Sequence, residues 1–309
     1  MEKRRLGRTD LEVTVVGFGG GPIGREGVSD EEAMEAIWTA LEGGVNLIDT
    51  SPHYGLGKSE RLIGEALRRR PDLAEDCILS SKTGHYGEER DYSYERTLRS
   101  VENSLETLGV NHLPIVHIHD VRSAEELEDT VRGEAAHAAL CRLREEGVVG
   151  NIGVGTKSLP ALDFALESGE FDVLMMANRY NLIDQDGEGI ITKAIERDVG
   201  IIIAGAYATG ILAKGSADPR ATYFYSRATS DVRGYVAKIE GLCEKAGCSL
   251  PAAAVQFCLR SPVEGAVTVL GARTRDQAEQ NVRVLEEDIP EAFWQQLEAL
   301  IEERGPVSP

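Results

Sequence analysis

Four side chains suited to proton transfer at a carbonyl occur where short apolar segments end. Asp49 ends the apolar part of NLIDTSPHYG, and Tyr54 follows five residues later. Lys82 ends the run ILSSK, and His119 ends PIVHIH. A carboxylate beside a buried segment is costly unless another group answers its charge. We therefore predict that Asp49 pairs with Lys82 at one site.

The chemistry of these four residue types is mutually consistent. A phenol with a pKa of about 10 is a poor acid or base at neutral pH, and we expect the Lys82 ammonium to lower the pKa of Tyr54. Asp49 would fix Lys82 in place, and His119 would donate a hydrogen bond to a substrate oxygen. Because none of these side chains can supply a hydride, the set implies a nicotinamide cofactor.

A repeated strand-and-helix pattern must position these residues. Apolar runs that end in small or polar residues occupy 13–20, 45–50, 77–83, 114–120, 149–156, 172–178, 200–206 and 265–272. Between them lie amphipathic segments with apolar residues at helical spacing, preceded by plausible N-caps such as Ser29 and Ser93. Eight such units predict an α/β fold, a single-domain (β/α)8 TIM barrel over 1–309.

The main competing fold is a doubly wound sheet that binds a dinucleotide. Its GxGxxG signature would follow the first strand, but GFGGGPIG spaces its glycines differently. In a barrel, the carboxyl ends of all strands meet at one face, and that face carries the chemistry. The barrel therefore explains why the polar residues occur at the strand ends.

Composition limits the partners and the location. The net charge of −19 argues against nucleic acid and anionic membranes as partners. The sequence contains no apolar run long enough for a membrane helix and no signal-peptide pattern, so we expect a cytoplasmic protein. Five scattered cysteines form neither a disulfide framework nor a CxxC metal motif.

Two other functions compete with carbonyl chemistry. His117 and His119 form the HxH pair with which metal-dependent barrel hydrolases commonly begin, but no histidine follows His137 to complete a ligand set. We therefore expect His117 to be a core residue, one layer below His119. A nicotinamide-binding regulatory subunit with little turnover is the remaining alternative.

Six segments, in order, give the sequence its family resemblance: GFGGGPIG, NLIDTSPHYG, SSK, LGVNHLPIVHIH, GNIGVG and GARTRDQAEQN. Over nearly the full chain, the sequence resembles the aldo-keto reductases. The resemblance implies a (β/α)8 barrel and a tetrad of Asp49, Tyr54, Lys82 and His119, with Tyr54 as the acid/base. It also implies interconversion of an aldehyde, ketone or aldose with an alcohol, or with a lactone from an aldose. A branch of aldose, galactose and pyridoxal dehydrogenases shares several of these motifs.

The same resemblance implies a set of cofactor contacts. They are Gly19, Gly20, Asp49, Gly155, Thr156, Ala177, Gly205, Tyr207, Gly210, Gly271, Arg273, Gln277 and Asn281. This chain departs from the family pattern where Ser-Asn, Gln and a stacking Tyr usually surround the nicotinamide. It has Gly155-Thr156, Ala177 and Ala204-Gly205 there.

Cofactor preference and substrate are expected to depend on two late segments. Arg273 and Arg275 lie where the last barrel helix should begin, and a guanidinium there can grip a 2′-phosphate. This favours NADP(H), with NAD(H) as the alternative. The long segment 207–230, which is rich in tyrosine, interrupts the pattern before the last strand and should form an irregular functional loop. We expect its aromatic residues and Arg227 to receive a small polar carbonyl compound or a sugar.

Overall fold

The computed structural model describes residues 1–260 and 262–304 of the protein. Ser261 and residues 305–309 lie outside this description, so the predicted domain is described to Arg304. Eight parallel strands close into a barrel in which chain neighbours pair and the last strand returns to the first. The strands are β1 (Val16–Gly19), β2 (Leu47–Asp49), β3 (Ile78–Thr83), β4 (Leu113–His119), β5 (Val149–Thr156), β6 (Val173–Ala177), β7 (Gly200–Ala204) and β8 (Val267–Gly271). The predicted (β/α)8 barrel is confirmed.

Helices follow the strands and surround the barrel. They are α1 (Asp30–Glu42), α2 (Lys58–Arg69), α3 (Pro71–Ala74), α4 (Tyr94–Leu108), α5 (Ala124–Val131), α6 (Ala136–Glu145), α7 (Leu159–Ser168), α8 (Glu188–Glu196), α9 (Ile211–Lys214), α10 (Ser230–Ala246), α11 (Leu250–Phe257), α12 (Arg275–Arg283) and α13 (Glu291–Arg304). Their apolar faces pack on the outside of the sheet and form a continuous core with it.

Local side-chain chemistry accounts for where helices begin and end. Ser29 and Glu32 form a reciprocal capping box at the start of α1, in which each side chain accepts a backbone N–H. Ser93 occupies the N-cap of α4, but its own N–H donates to Asp91 Oδ1 at 2.9 Å. Gly109 ends α4 in the left-handed conformation with φ of 75°. Both predicted N-cap positions are therefore confirmed, although only the Ser29 side chain accepts a capping hydrogen bond from its helix.

The barrel interior is filled with apolar side chains from its N-terminal end upward. A hairpin of Lys3–Arg5 and Glu12–Thr14 covers that end. Its Leu6 and Val13 are fully buried against strand residues such as Ile115. With this end closed, the open face lies at the carboxyl ends of the strands, as barrel enzymes require.

Two further hairpins project from loops at the open face, which we call the mouth. One pairs His85–Tyr86 with Glu89–Arg90 after β3, and the other pairs Thr222–Tyr223 with Ser226–Arg227 after β7. The prediction of an irregular loop over 207–230 is thus wrong in part, since the segment also contains α9. Its hairpin turns at two aromatic residues, so the Gly or Asn signal that would reveal such a turn in a sequence is missing.

Candidate active site

The four chemistry-bearing residues converge at the mouth. Asp49 is the last residue of β2, Lys82 lies near the end of β3, and His119 ends β4. Tyr54 follows in the loop after β2, where its backbone packs directly on Gly24. Because neighbouring parallel strands end at the same level, their last side chains point into one space. The predicted convergence is present in the structure.

Asp49 and Lys82 form a buried ion pair, which answers the charge of the carboxylate. Lys82 Nζ lies 2.5 Å from Asp49 Oδ1 and 2.7 Å from the carbonyl oxygen of Thr50. Ser80 Oγ donates a further bond to Asp49 Oδ1 at 2.9 Å. Burial raises the pKa of Asp49 and lowers the pKa of Lys82, and the ion pair opposes both shifts. The pair is fully desolvated and bonded on both sides.

The environment of Tyr54 keeps its phenol protonated. Lys82 Nζ lies 5.0 Å from the centre of the Tyr54 ring. Burial raises the pKa of Tyr54 well above its ordinary value, and the negative charge of Asp49 raises it further. The net shift is upward, opposite in direction to the lowering expected from Lys82, and burial is its largest cause. A protonated phenol is suited to donating a proton.

His119 stands across from Tyr54 with a defined hydrogen-bond partner. The two rings are perpendicular, with centres 5.9 Å apart. Ser51 Oγ lies 3.2 Å from His119 Nδ1 and accepts the N–H of His53 at 3.1 Å. If the Ser51 hydroxyl donates to Nδ1, the ring hydrogen lies on Nε2. Burial lowers the pKa of His119 well below its ordinary value, and Lys82 lowers it further, so the ring is neutral.

A second imidazole pair lines the mouth beside His119. His53 and His85 stack with ring centres 3.9 Å apart. His53 lies in the loop beside Tyr54, whereas His85 comes from the hairpin after β3 and was not anticipated. His85 Nδ1 lies 3.3 Å from Asp120 Oδ2, and burial lowers the pKa of His85 to about 4. Both rings are neutral, since burial also lowers the pKa of His53.

His117 lies below His119 in the barrel interior, as expected for a core residue. Its side chain is fully buried, and its ring fills the space left by the missing side chain of Gly153. Neither ring nitrogen has a hydrogen-bond partner among the described residues. Burial lowers the pKa of His117 well below its ordinary value, so the ring is neutral. In the part of the chain that the structure describes, no three His, Cys, Asp or Glu side chains could share a metal ion.

Glycines predicted to contact the cofactor allow close approach between neighbouring strand ends. Gly19 pairs with Asp49 and with Gly271 across the barrel sheet. The N–H of Gly20 donates to the Asp49 carbonyl at 2.7 Å, and a Cβ at Gly20 would lie 2.6 Å from Ser59 Oγ. Gly20 and Gly271 therefore leave no room for larger side chains at the rim, whereas a Cβ at Gly19 would make only ordinary contacts.

The ends of β5 and β6 offer few free polar atoms. Thr156 donates its hydroxyl to the carbonyl of Val121 at 2.6 Å. Gly155 and Ala177 add no polar side-chain atom. The next residue, Asn178, was not anticipated: it is 3% exposed, has φ of 58°, and its Oδ1 has no partner among the described residues. Its only sequence signal was its place directly after the apolar run, within NRYN.

The space beside the Asn178 side chain exists because residue 205 is a glycine. Gly205 has φ of 98°, and a Cβ there would lie 2.2 Å from Asn178 Oδ1. Asn178 Nδ2 donates to the Tyr225 hydroxyl at 3.3 Å, which ties the end of β6 to the hairpin after β7. Asn178 is therefore a buried amide at the mouth, and its oxygen has no partner among the described residues.

The segment from β8 into α12 also has the predicted form. Thr274 caps α12, and Gln277 Oε1 accepts the N–H of Arg273 at 2.9 Å. Tyr207 donates to Asn281 Oδ1 at 2.8 Å, and Asn281 Nδ2 lies 3.3 Å from the Gly271 carbonyl. Gly210, with φ of 128°, is the N-cap residue directly before α9 and lies three residues after Tyr207.

The two arginines near α12 differ in their surroundings. Arg275 is exposed, and its Nε donates to Glu279 Oε1 at 2.9 Å. Arg273 is half-buried, and partial burial together with the positive charge of Arg25 lowers its pKa. Like charges placed together are unfavourable unless an anion joins them. Arg25 follows the turn at Pro22, whose ring packs against Gly271, and sequence reasoning missed it.

The fold and the mouth together define a (β/α)8-barrel enzyme. Residues 15–302 match the profile of the aldo/keto reductase family. The chain belongs to the aldo/keto reductase family, and it is an oxidoreductase that interconverts carbonyl and alcohol groups with a nicotinamide cofactor. No helix within the described residues is long and apolar enough to cross a membrane.

Named relatives extend over almost the whole chain. Pyridoxal 4-dehydrogenase of Microbacterium luteolum is 28% identical, over 95% of this chain and 95% of that protein. L-galactose dehydrogenase of Arabidopsis thaliana is 29% identical, over 93% of this chain and 89% of that protein. An aldo-keto reductase of Bacillus halodurans superposes with a TM-score of 0.78 at 24% identity, over 97% of this chain and 96% of the other, which supports the fold.

Proposed function

We propose that the protein, acting as one barrel unit, reduces a carbonyl group or oxidises the corresponding alcohol, with Tyr54 as the acid/base. The observation that carries the proposal is the buried Asp49–Lys82 ion pair, in which Lys82 Nζ lies 5.0 Å from the centre of the Tyr54 ring. A nicotinamide cofactor supplies or accepts the hydride, which no side chain of the mouth can carry.

Tyr54 moves the proton. In the reductive direction its protonated phenol donates to the developing alkoxide, and a raised pKa keeps that proton available at neutral pH. In the oxidative direction the phenolate must form first, and the Lys82 ammonium, 5.0 Å from the ring centre, can stabilise it. Asp49 holds the ammonium in place and prevents an unpaired buried charge.

His119 orients the substrate oxygen. Its neutral ring, with the hydrogen on Nε2, can donate to the carbonyl oxygen opposite Tyr54. Ser51 sets that tautomer through its contact with Nδ1. Two donors from opposite sides place the carbonyl so that its carbon is exposed to the hydride.

The residues present fit a nicotinamide ring and its carboxamide. Asn178 offers a buried amide oxygen without a described partner, which a carboxamide N–H could satisfy. This residue replaces the polar groups that Ala177 and Gly155 lack. Gly205 keeps the adjoining space open, because any side chain there would strike the amide.

NADP(H) is the proposed cofactor form. Among the described residues Arg273 forms no ion pair with a carboxylate, and the positive charge of Arg25 acts on it, so the two guanidinium groups favour binding of a phosphate dianion. The neighbouring Arg275 is already paired with Glu279 and would contribute less.

A small aldehyde, ketone or sugar is the proposed substrate, as the names of relatives that act on pyridoxal and aldoses also support. The test is a binding titration with NADPH and NADH by quenching of tryptophan fluorescence, followed by turnover with a panel of aldehydes and sugars. Tight NADPH binding with turnover supports the proposal. Binding without turnover of any carbonyl would instead favour the regulatory alternative.

A further inference from the structure

Two of the most exposed large hydrophobic side chains of the described residues stand at the mouth. Leu56 is 80% exposed and Tyr225 is 61% exposed. Leu56 lies two residues after Tyr54, against Gly87 in the hairpin after β3. Tyr225 reaches from the hairpin after β7 to Asn178 at the end of β6. Since β2 and β6 are opposite strands of the barrel, the two residues stand on opposite sides of the mouth.

Both residues have a left-handed backbone conformation, which is unfavourable for residues other than glycine. Leu56 has φ of 52°, and Phe224 and Tyr225 have φ of 47° and 64°. In a left-handed conformation the Cβ crowds the following carbonyl, so two-residue hairpin turns of this kind usually contain Asn-Gly. An exposed aromatic residue at such a turn, as Tyr225 is, costs stability without adding to the core. Strain of this kind is typical of functional positions.

The hairpin is anchored at several points, so Tyr225 has a defined place. Thr222 Oγ1 donates to the Thr209 carbonyl at 2.7 Å, and the N–H of Tyr225 lies 3.3 Å from Thr209 Oγ1. The Tyr225 hydroxyl accepts from Asn178 at 3.3 Å. A ring that is fixed at its backbone and at its hydroxyl presents its face at little further entropic cost on binding.

Flat surfaces also line the opposite side of the mouth. The stacked rings of His53 and His85 lie beside His119, within 5.8 Å and 5.4 Å of its ring centre. The uncharged rings and the exposed Leu56 form an apolar and aromatic surface that is in contact with water. A flat ring that binds there would displace this water, which is favourable. An open polyhydroxy chain would lose hydration there without gaining equivalent partners.

We propose that the mouth selects carbonyl substrates carried on a flat aromatic or heteroaromatic ring, with Tyr225 and Leu56 as specificity-determining residues. The inference rests on the proposed carbonyl chemistry and narrows its substrate class. Selection arises because the ring packs between Tyr225 and the Leu56 side of the mouth while the carbonyl reaches Tyr54.

The test compares three aldehydes with the full chain and NADPH: benzaldehyde, cyclohexanecarboxaldehyde and glyceraldehyde. We expect the highest kcat/KM for benzaldehyde. Tyr225→Asn removes the ring but suits a left-handed backbone, so the hairpin is kept. This variant should lower the benzaldehyde-to-glyceraldehyde ratio of kcat/KM by about 10-fold, which corresponds to loss of one aromatic contact. Leu56→Asn should lower the same ratio by a smaller factor.

Ser226→Ala, an exposed position of the same hairpin, is the matched control and should leave the ratio unchanged. A wild type that favours glyceraldehyde, or a Tyr225→Asn variant with an unchanged ratio and an unchanged circular dichroism spectrum, overturns the inference. Equal rates for benzaldehyde and cyclohexanecarboxaldehyde would overturn the requirement for a flat ring.

If no aldehyde is reduced, the proposed function fails, and calorimetry with benzamide then tests the inference on its own. Binding of benzamide that Tyr225→Asn weakens supports the inference, and equal binding by the wild type and the variant overturns it.

Discussion

Ser51 Oγ lies 3.2 Å from Nδ1 of His119, and the same oxygen accepts the backbone N–H of His53. When the hydroxyl donates its proton to Nδ1, the ring hydrogen of His119 resides on Nε2, which is the tautomer proposed above for the reaction. Ser51 lies between the strand end and the tyrosine loop, and through this contact it can set the donor properties of a residue from a different strand.

Replacing Ser51 with Ala should mix the two tautomers of His119. We expect kcat/KM for reduction to fall about 2- to 10-fold, the equivalent of one hydrogen bond, with NADPH affinity unchanged. The direct measurement is the ¹⁵N shift pattern of the imidazole, which should show Nε2–H in the wild type and a mixture in the variant. An unchanged pattern would show that Ser51 does not set the tautomer.

Tyr54→Phe should remove the proton donor. We expect kcat to fall by about 10²- to 10⁴-fold, as for loss of a general acid, with little change in the Kd for NADPH. Tyr94→Phe is the control, because Tyr94 lies at the start of α4 and its hydroxyl accepts a 3.4 Å bond from Arg142 on the protein surface. A Tyr54→Phe enzyme with most of its kcat would refute the assignment.

Lys82→Met should slow alcohol oxidation more than carbonyl reduction. Removing a positive charge 5.0 Å from the Tyr54 ring raises the phenol pKa further, so less phenolate exists at any given pH. A unit charge at that distance is worth about 3 kcal/mol at an effective dielectric constant of about 20. In the variant, the unpaired Asp49 takes up a proton, and the loss of its negative charge offsets part of this effect. We therefore expect the rate of alcohol oxidation to fall roughly 10- to 100-fold at pH 8.

The measurement for Lys82→Met is a pH–rate profile in both directions. Because the pKa of Tyr54 is already raised well above its ordinary value, oxidation should increase with pH across the range from about 6 to 10. The pH–rate profile of oxidation by Lys82→Met should be shifted to higher pH than that of the wild type. Lys193→Met, which removes a surface partner of Asp163, is the control. Superimposable oxidation curves would show that Lys82 does not act on Tyr54.

Arg273→Ala should discriminate between the two cofactors. Loss of a charged hydrogen bond to a 2′-phosphate should weaken NADPH by roughly 1–3 kcal/mol, or about 5- to 150-fold in Kd, while NADH is nearly unaffected. Arg25→Ala should shift the same preference in the same direction. Arg275→Ala should have little effect, because Arg275 is already paired with Glu279. Fluorescence titration with both cofactors is the test, and equal losses would place the phosphate elsewhere.

Gly205→Ala should destabilise the protein. Gly205 has φ of 98°, and the new Cβ would lie 2.2 Å from Asn178 Oδ1. We expect a loss of about 1–3 kcal/mol in the free energy of unfolding. Gly234→Ala, in an exposed part of α10 with open space around the new Cβ, should instead stabilise by about 0.5–1 kcal/mol. Urea unfolding of both variants measures the difference, and a neutral Gly205→Ala would show that the mouth can relax.

The sequence by itself determined the barrel and the four residues at its mouth. Apolar runs that end in Asp49, Lys82 and His119 are local features, and strand-and-helix alternation leaves few topologies for them. The ion pair followed from the cost of a buried carboxylate, and the structure contains it at 2.5 Å.

Tertiary structure alone decided the rest, because it depends on contacts between distant segments. The sign of the Tyr54 pKa shift reflects how deeply the phenol is buried, which residue types cannot reveal. Ser51, Asn178 and Arg25 acquire their places only when loops from different strands meet. The hairpin that presents Tyr225 turns at positive φ without glycine, so it is held by contacts with Thr209 and Asn178 rather than by local preference.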